Sequence, residues 1–332
     1  MSLPVLDLSI YILGGAQEQR RFSRDLLSSF QAHGFVKLIN HGFDREYIDE
    51  LMDWNQRFFK LAPSTKASIS NQKGVNPQRG YSGVGGESFK HFDLDGTGEK
   101  FVDVKEHFDQ GPCNDASFPN QWPPETASND LIGFRAFMES YFDIAITLSH
   151  QLLSILEIAL NVAPGSLTSR CSLNHNELRL NHYPATTIEE IRGGHVRRTG
   201  AHTDYGVLTL LFQDRSGGLE VQDRSVPAPE VKFMPVAADD PYELVVNVAD
   251  TLQRWTNGIV PAGLHQVTIP GSRRDEVRGK LRDRFSVAYF MKSNREESVG
   301  SLPEFVSEKR PAKYEHVSAI EYHKRRHAVL YA

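Results

Sequence analysis

The sequence has little cysteine, no long apolar run and no block of charge of one sign. Its two cysteines, Cys113 and Cys171, are far apart, which excludes a disulfide framework and a thiolate zinc site. No apolar run reaches the roughly 20 residues of a membrane helix. The opening residues, MSLPVLDLS, lack the basic-then-apolar pattern of a secretory signal. We therefore expect a cytoplasmic protein that does not enter a membrane.

The charge pattern argues against a nucleic-acid partner. The net charge is −5 over 332 residues, and no basic block is longer than a few residues. The short run Lys-Arg-Arg at 324–326 is interpreted as a solvated helix face. Hydrophobic residues make up 39% of the chain, which is enough for a sizeable core. Nothing in the pattern indicates an obligate protein partner.

Helical periodicity dominates the first half of the chain. Apolar residues recur at helical spacing over 21–33, 45–61 and 129–162, while Gly-rich, polar sequence over 73–100 predicts a loop. After residue 175 the pattern changes to short strand-like runs between turns, namely ELRLNHY, VLTLLFQ, LEVQ, ELVVNVA, HQVTI and RFSVAYF. Regularly spaced strands of this kind favour a sandwich, barrel or jelly roll.

The domain organisation follows from these two patterns. We find no linker and no internal repeat, so we expect a single domain over 1–332. It would consist of a mainly helical part at 1–165, a β core at 175–295, and a tail of helix and loop at 303–332.

The stretch GAHTDYGVLTLLFQD contains a candidate metal-binding pair. Residues two apart in a strand point to the same side, so His202 and Asp204 share a face if the segment is extended. His-x-acid is a weak motif alone: random placement of 13 histidines and 42 acids gives roughly 1.6 matches. The chain has four, and the other three are His91–Asp93, His107–Asp109 and His175–Glu177.

A third ligand should come from another strand, and His265, which opens the run HQVTI, is the leading candidate. Two histidines and one carboxylate on one side of Fe(II) leave three positions open for other ligands. Zinc hydrolases use a similar set but typically place both histidines in a helical H-E-x-x-H motif, which is absent. The pattern therefore favours non-haem iron.

The segment Arg284-Phe285-Ser286 is a candidate carboxylate clamp, since Arg284 and Ser286 share one face of a strand. An arginine beside a hydroxyl is well suited to bind a carboxylate. The alternative is a strand-end arginine paired with a surface acid. In ELRLNHYP, Arg179, Asn181 and Tyr183 also share a face, and inward polar groups need partners. A bound dicarboxylate would supply them.

The apolar run after the His-x-Asp pair predicts part of a substrate pocket. By strand alternation, Leu210 and Phe212 take the same side as His202 and Asp204, so we expect them in an apolar pocket wall. Packing in the β core is the competing interpretation, and it is the favoured one for Leu208.

Taken together, the order Asn-x-Tyr-Pro, His-x-Asp, distal His and Arg-x-Ser resembles the isopenicillin N synthase-like family of Fe(II)/2-oxoglutarate-dependent oxygenases. Four earlier segments are similar to those of the family, and the resemblance extends to about residue 290. These segments are LPVLDLS, HGFVKLINHGF (33–43), FFKLAPSTKA (58–67) and RGYSGVGGE (79–87).

The resemblance implies a mainly β protein with flanking helices, in which a double-stranded β-helix, or jelly roll, is wrapped by N-terminal helices. It implies that His202, Asp204 and His265 bind iron. It also implies that Arg284 and Ser286 hold the distal carboxylate of 2-oxoglutarate.

Two further residues receive roles from the resemblance. Tyr183 would assist the carboxylate clamp, and Asn181 would lie near the metal-chelating end of 2-oxoglutarate. The implied cofactors are Fe(II), 2-oxoglutarate as co-substrate and O₂, with ascorbate as a stimulant. The implied reaction is hydroxylation of a small organic molecule, with desaturation and ring rearrangement as family variants, and a natural-product intermediate of secondary metabolism is the expected substrate.

The sequence departs from the family in two places. Arg284 follows His265 by 19 positions, more than in many relatives, and we interpret the intervening PGSRRDEVRGKLRD as a longer hairpin. If the strand pairing were shifted, Arg282 would compete with Arg284 for the clamp. The polar insertion DRSVPAPE is expected to be a surface loop.

Three functions remain open at this level. The first is a 2-oxoglutarate-dependent oxygenase, and the second is a family oxidase that takes all electrons from its substrate. Arg-x-Ser does not separate them, because such oxidases retain it. The third is a non-catalytic binding protein, which the intact His202, Asp204 and His265 argue against.

Overall fold

A computed structural model describes most of the chain. Most of the predicted loop at 73–100, the end of the RGYSGVGGE segment and the pair His91–Asp93 lie outside the described residues. The described ranges are 2–72, 77–86, 102–127, 129–194 and 196–330.

The described residues form eight α-helices, and the three helices predicted from periodicity are among them. Helix α2 ends where Gly34 adopts a left-handed φ of 74° and its N–H binds the Phe30 carbonyl, a conformation that glycine adopts without strain. The helices are α1 Ser9–Leu13, α2 Ala16–His33, α3 Arg45–Phe59, α4 Pro63–Ala67, α5 Phe134–Ala159, α6 Ile188–Arg192, α7 Asp250–Trp255 and α8 Ala319–Leu330.

Helix α5 has 26 residues and is long and apolar enough to cross a membrane by length and composition alone. Half of its most apolar window is buried inside the protein. It packs against α2, α3 and the sheet, which is the behaviour of a core helix.

The strands form two main sheets and two short pairs. The strands are β1 Val5–Asp7, β2 Phe35–Ile39, β3 Gly80–Ser82, β4 Val102–Asp103, β5 Glu106–Gln110, β6 Glu177–Tyr183, β7 Thr186–Thr187, β8 Val196–Arg197, β9 Thr199–His202, β10 Leu208–Gln213, β11 Leu219–Gln222, β12 Phe233–Pro235, β13 Leu244–Val248, β14 His265–Val267, β15 Lys280–Leu281 and β16 Arg284–Met291. The major sheet has the order β1-β2-β13-β10-β16-β6-β5-β3, and the minor sheet has the order β12-β11-β14-β9.

This architecture is a double-stranded β-helix flanked by helices, as the sequence predicts. Strands β1, β2, β3 and β5 come from the mainly helical first part of the chain, so that part also widens the major sheet. The outer side of the major sheet packs on the helices. Leu180, Leu208 and Val287 share one hydrophobic cluster there with Phe30 and Phe58. Each fully buried side chain of this size contributes about 1.5–3 kcal/mol.

The inner side of the major sheet faces the minor sheet, and here the same strands carry their polar residues. Alternation along each strand separates the two sides. On β6 the apolar Leu178 and Leu180 point to the helices, while Arg179, Asn181 and Tyr183 line the cavity between the sheets. The sheet therefore directs its polar side chains into one enclosed space.

The predicted hairpin between His265 and Arg284 is wrong. Strand β14 lies in the minor sheet and β16 in the major sheet, so the segment crosses between sheets. Part of it forms β15, which pairs with β7. The backbone of this charged segment therefore pairs with β7 and not with a second strand of its own, as a hairpin would require. The loop DRSVPAPE is largely exposed, as predicted.

Candidate active site

Two histidines from neighbouring strands face one aspartate at the rim of the cavity. His202 ends β9 and His265 begins β14, and the two are register partners with ring centroids 4.2 Å apart. Their Nε2 atoms lie 3.8 and 3.9 Å from Asp204 Oδ1. Ligands about 2.0–2.2 Å from one metal ion lie about 3–4 Å from each other, so the spacing suits a single ion.

Backbone carbonyls set the direction of both imidazoles. His202 Nδ1 lies 2.9 Å from the Gly200 carbonyl oxygen, and His265 Nδ1 lies 3.0 Å from that of Gly263. A carbonyl can only accept, so each Nδ1 donates its proton, and in a neutral ring Nε2 then carries the lone pair. Both Nε2 atoms lie within 3.9 Å of the same Asp204 oxygen.

The carboxylate of Asp204 is oriented in a comparable way. Its Oδ2 accepts hydrogen bonds from Thr209 Oγ1 at 2.7 Å and Asn247 Nδ2 at 2.8 Å, which leaves Oδ1 toward the imidazoles. Burial alone would raise the pKa of Asp204, but the two imidazoles and these hydrogen bonds hold that pKa below its usual value. The aspartate is therefore ionised and offers one oxygen.

Protonation also favours metal binding. Burial, followed by the adjacent His265, lowers the pKa of His202 to about 3, so its ring is neutral at physiological pH. Among the described residues, these three side chains form the one cluster of three or more possible ligands. Two imidazole nitrogens and one carboxylate oxygen on one side, with the cavity on the other, fit Fe(II).

The cavity between the sheets has a volume of about 120 Å³, and Arg284 lines one end of it beside Tyr183. The Arg284 side chain is 1% exposed. It donates to the Gly217 carbonyl at 3.0 Å, Gln213 Oε1 at 2.8 Å and Ser286 Oγ at 3.3 Å. Within the described ranges no carboxylate pairs with Arg284. A buried guanidinium without a counter-charge is costly, so this end of the cavity requires an anion.

Tyr183 and Asn181 face the clamp from the next strand. The register of β6 and β16 pairs Arg284 with Tyr183 and Ser286 with Asn181. The guanidinium carbon lies 4.8 Å from the Tyr183 ring centre, within cation–π range. Arg282, the alternative for the clamp, is exposed, so the pairing is not shifted.

The expectation for Leu210 and Phe212 is wrong. Both are fully buried in the cluster between the major sheet and the helices, and the β10 residues that line the cavity are Thr209 and Leu211. The chain leaves the minor sheet after His202 and enters the major sheet at Leu208, through a turn at 203–207. Strand alternation does not continue across that turn, so the side taken by His202 and Asp204 does not predict the side taken by Leu210 and Phe212.

Opposite Arg284 the cavity has a charged end, and sequence reasoning placed only Arg179 there and missed the groups around it. There Arg179 binds Asp109 with two hydrogen bonds of 2.7 and 3.1 Å, and Lys292 pairs with Glu177. Extending the alternation of β6 to Glu177 and of β16 beyond its end would have found these groups. Asp109 and Glu177 belong to two of the other His-x-acid matches, and they are the ion-pair partners of Arg179 and Lys292.

Two family models match the chain. Residues 3–125 match the model described as non-haem dioxygenase in morphine synthesis N-terminal. Residues 174–293 match the model described as 2OG-Fe(II) oxygenase superfamily, and this range contains every residue of the site described above except Asp109.

Curated relatives match over nearly the whole chain. The 2-oxoglutarate-dependent dioxygenase ecdK of Aspergillus rugulosus is 42% identical, with 100% of both chains covered. The 2-oxoglutarate-dependent dioxygenase phqC of Penicillium fellutanum is 41% identical over 98% of this chain and 94% of the relative. The proline hydroxylase buaE of Petromyces alliaceus is 38% identical, with 98% of both covered.

A solved structure has the same fold. A full-length Neurospora crassa protein, crystallised in complex with alpha-KG, gives a TM-score of 0.84 at 29% identity, over 98% of this chain and 96% of that chain. The complex of the same protein with alpha-KG and thymine gives a TM-score of 0.85 at 28% identity, with the same coverage of both chains.

Proposed function

The chain belongs to the 2OG-Fe(II) oxygenase superfamily, and on that basis we propose that His202, Asp204 and His265 hold its Fe(II) while Arg284 and Ser286 hold its 2-oxoglutarate. The protein is an oxidoreductase, a 2-oxoglutarate-dependent dioxygenase that acts on a small substrate. The observation that carries the residue assignments is the buried Arg284, which has no counter-charge among the described residues and lies in the same cavity as the histidines.

Each group has a defined task in this proposal. Bound Fe(II) supplies the redox chemistry by which O₂ and 2-oxoglutarate oxidise a C–H bond. His202, His265 and Asp204 would hold the ion, and two histidines with one carboxylate leave positions for other ligands. Arg284 and Ser286 would bind the distal carboxylate of 2-oxoglutarate by charge-assisted hydrogen bonds and so orient the co-substrate.

The surroundings of the clamp support this assignment. Phe35, Leu219 and Val267 line the same cavity, and the Phe35 ring meets His265 edge-on at 5.6 Å. Apolar walls exclude water and strengthen the interaction of Arg284 with an anion. In this proposal Tyr183 assists the clamp, and Asn181, which pairs with Ser286 in the register, lies near the metal-chelating end of 2-oxoglutarate.

We propose hydroxylation as the reaction and a natural-product precursor as the substrate, with desaturation or ring rearrangement as alternative outcomes. The cavity end formed by Arg179, Glu177 and Lys292 is strongly polar, which suits a small polar molecule. A relative bears the name proline hydroxylase, so free L-amino acids are reasonable first compounds to test.

The test is a screen with aerobic enzyme, Fe(II) and 2-oxoglutarate against the twenty proteinogenic L-amino acids and thymine. Mass spectrometry would detect one added oxygen atom or the loss of two hydrogens, and succinate would be measured beside each product. One succinate per product is the expected result. Product without succinate would instead identify an oxidase that does not use 2-oxoglutarate, and 2-oxoglutarate binding without any turnover under a wider screen would favour a binding protein.

The wider setting follows from the sequence. We propose a single domain over 1–332 that acts in the cytoplasm without nucleic acid, membrane or an obligate protein partner, in line with its net charge of −5. Stimulation by ascorbate is a further prediction, checked by adding it to the same assay.

A further inference from the structure

Helix α8 contacts the segment that carries the His-x-Asp pair. Arg326, in its last turns, lies with its guanidinium carbon 4.7 Å from the ring centre of Tyr205. The same guanidinium donates to Thr203 Oγ1 at 3.4 Å. Thr203 and Tyr205 line the cavity, and they are the immediate neighbours of Asp204. Arg326 therefore contacts both residues that flank Asp204, although it lies more than a hundred positions away in sequence.

A buried carboxylate joins these contacts. Asp250 is 6% exposed, and its Oδ2 accepts from the Tyr322 hydroxyl at 2.8 Å and lies 3.5 Å from an Arg326 nitrogen. Its backbone N–H donates to the Asp204 carbonyl at 2.8 Å. Asp250 is thus bound to α8 by its side chain and to the Asp204 backbone by its main chain.

The next residue strengthens the connection. Thr251 donates its N–H to the Gly206 carbonyl and its hydroxyl to the Tyr205 carbonyl, each at 2.8 Å. The start of α7 therefore holds the turn at 204–206 by three hydrogen bonds, and α8 holds the start of α7 through Asp250.

From these contacts we propose that Arg326 is a positioning residue that fixes the Tyr205 ring, and that α8 thereby shapes the substrate end of the cavity. Arg326 lies behind Thr203 and Tyr205 and is not itself part of the cavity lining. The inference rests on the proposed function, because it requires that a substrate binds in front of Tyr205. It also corrects the interpretation of 324–326 as a solvated face for Arg326 alone, since Lys324 and Arg325 are exposed.

The neighbouring Arg325 provides a matched control. It lies on the same helix but pairs with Glu321 and Glu315 at the surface, and its side chain is 55% exposed. Arg326→Ala removes the stacking on Tyr205 and a partner of Asp250. Arg326→Lys keeps a positive charge but loses the planar group that stacks. Arg325→Ala removes an arginine without touching Tyr205.

The decisive readout is amide hydrogen exchange, which needs neither substrate nor turnover. In Arg326→Ala we expect the amides of Asp250 and Thr251 to exchange about tenfold faster, because these two N–H groups donate to the Asp204 and Gly206 carbonyls across the junction that Arg326 supports. Arg326→Lys should fall between Arg326→Ala and the wild type, and Arg325→Ala should match the wild type. If only α8 exchanges faster in Arg326→Ala, the helix does not position the turn and the inference is wrong.

A second measurement addresses the cavity itself, with 2-oxoglutarate, the amino-acid panel and thymine as the probes. Arg326→Ala should leave the KM for 2-oxoglutarate within about twofold of the wild type, because Arg326 contacts Thr203, Tyr205 and Asp250 and not Arg284. Its KM for any accepted panel compound should rise about tenfold. Adding Tyr205→Leu to Arg326→Ala should raise that KM little further, because both changes remove the same contact. An unchanged KM in Arg326→Ala, or a double variant whose KM rises by the full effect of each single change, would overturn the proposed link.

The two parts can fail separately. If the wild type makes no succinate with any compound of the wider screen, the proposed function is rejected, while the exchange measurement still decides whether Arg326 holds the turn. If the wild type is active but Arg326→Ala and Arg325→Ala behave alike in both measurements, the function stands and the role of α8 is rejected.

Discussion

His202 and His265 lie directly opposite each other in neighbouring strands of the minor sheet, and each ring is anchored to a carbonyl two residues earlier in the chain. This arrangement repeats one local geometry in two distant parts of the chain. Both Nε2 atoms lie within 3.9 Å of Asp204 Oδ1. The predictions below test this preorganised site and its surroundings.

Replacing His202 with Ala should abolish turnover, because it removes one of only three proposed protein ligands to Fe(II). We expect no succinate above background while the far-ultraviolet circular dichroism stays that of the wild type. His150→Ala is the control, since His150, on helix α5, bonds to Asn174 and does not line the cavity. Residual activity above about one-tenth of the wild type in His202→Ala would remove this histidine from the ligand set.

Replacing Arg284 with Ala should raise the KM for 2-oxoglutarate by about 10–100-fold, because charge-assisted hydrogen bonds contribute about 1.5–3 kcal/mol. Steady-state succinate formation at varied 2-oxoglutarate measures this. Arg282→Ala, two residues away and exposed, should leave the KM unchanged. Unaltered saturation in Arg284→Ala would refute the clamp.

Replacing Thr209 with Val should weaken Fe(II) binding by about tenfold or more, because hydrogen bonds that orient a metal ligand typically contribute this much to affinity. The Thr209 hydroxyl donates to Asp204 Oδ2, and valine has the same shape without it. Thr209→Ser retains the hydroxyl and should bind Fe(II) nearly as the wild type does. Anaerobic titration with Fe(II) compares the three proteins, and equal affinities would contradict the prediction.

Replacing Leu210 with Ala should reduce stability and leave substrate recognition intact. Its side chain is fully buried between the major sheet and the helices, and a Leu→Ala change in such a place costs about 2–5 kcal/mol. Urea denaturation measures the free energy of unfolding. A raised KM with unchanged stability would restore Leu210 to the pocket wall.

A pH effect is expected from Glu106, which lies outside the cavity. Burial alone would raise its pKa, but hydrogen bonds from His182, Tyr81 and Lys66 lower that pKa to about 2, from an ordinary value of 4.5. A lowered carboxyl pKa stabilises the fold above the ordinary value, and that contribution is lost as the pH falls from 4.5 toward 2. The gap in unfolding free energy between wild type and Glu106→Gln should therefore narrow over this range. A gap that stays constant would show that Glu106 has an ordinary pKa.

The sequence could predict on which side of the sheet a side chain lies, provided that the strand is continuous. Alternation along β6 and β16 placed Asn181, Tyr183, Arg284 and Ser286 on one side, and the structure has them there because neither strand is interrupted. The same counting failed for Phe212, because the chain changes sheets between Asp204 and β10. A period of two has no meaning across a turn whose path depends on tertiary contacts.

Contacts between elements that are distant in the chain could not be predicted from the sequence either. The inward position of Arg326 depends on where α8 packs, and its neighbours Lys324 and Arg325 are exposed. Similarly, the segment before Arg284 could not be distinguished from a hairpin, because its partner strand β7 has only two residues. Such short pairings leave little trace in residue patterns.

The most direct test of the site is anaerobic absorption spectroscopy of the protein with Fe(II) and 2-oxoglutarate. We expect a weak visible charge-transfer band that requires both additions, that is absent in His202→Ala, and that needs a higher concentration of 2-oxoglutarate in Arg284→Ala. A folded wild-type protein that gives no such band would contradict the assignment of His202, Asp204 and His265 as the iron ligands.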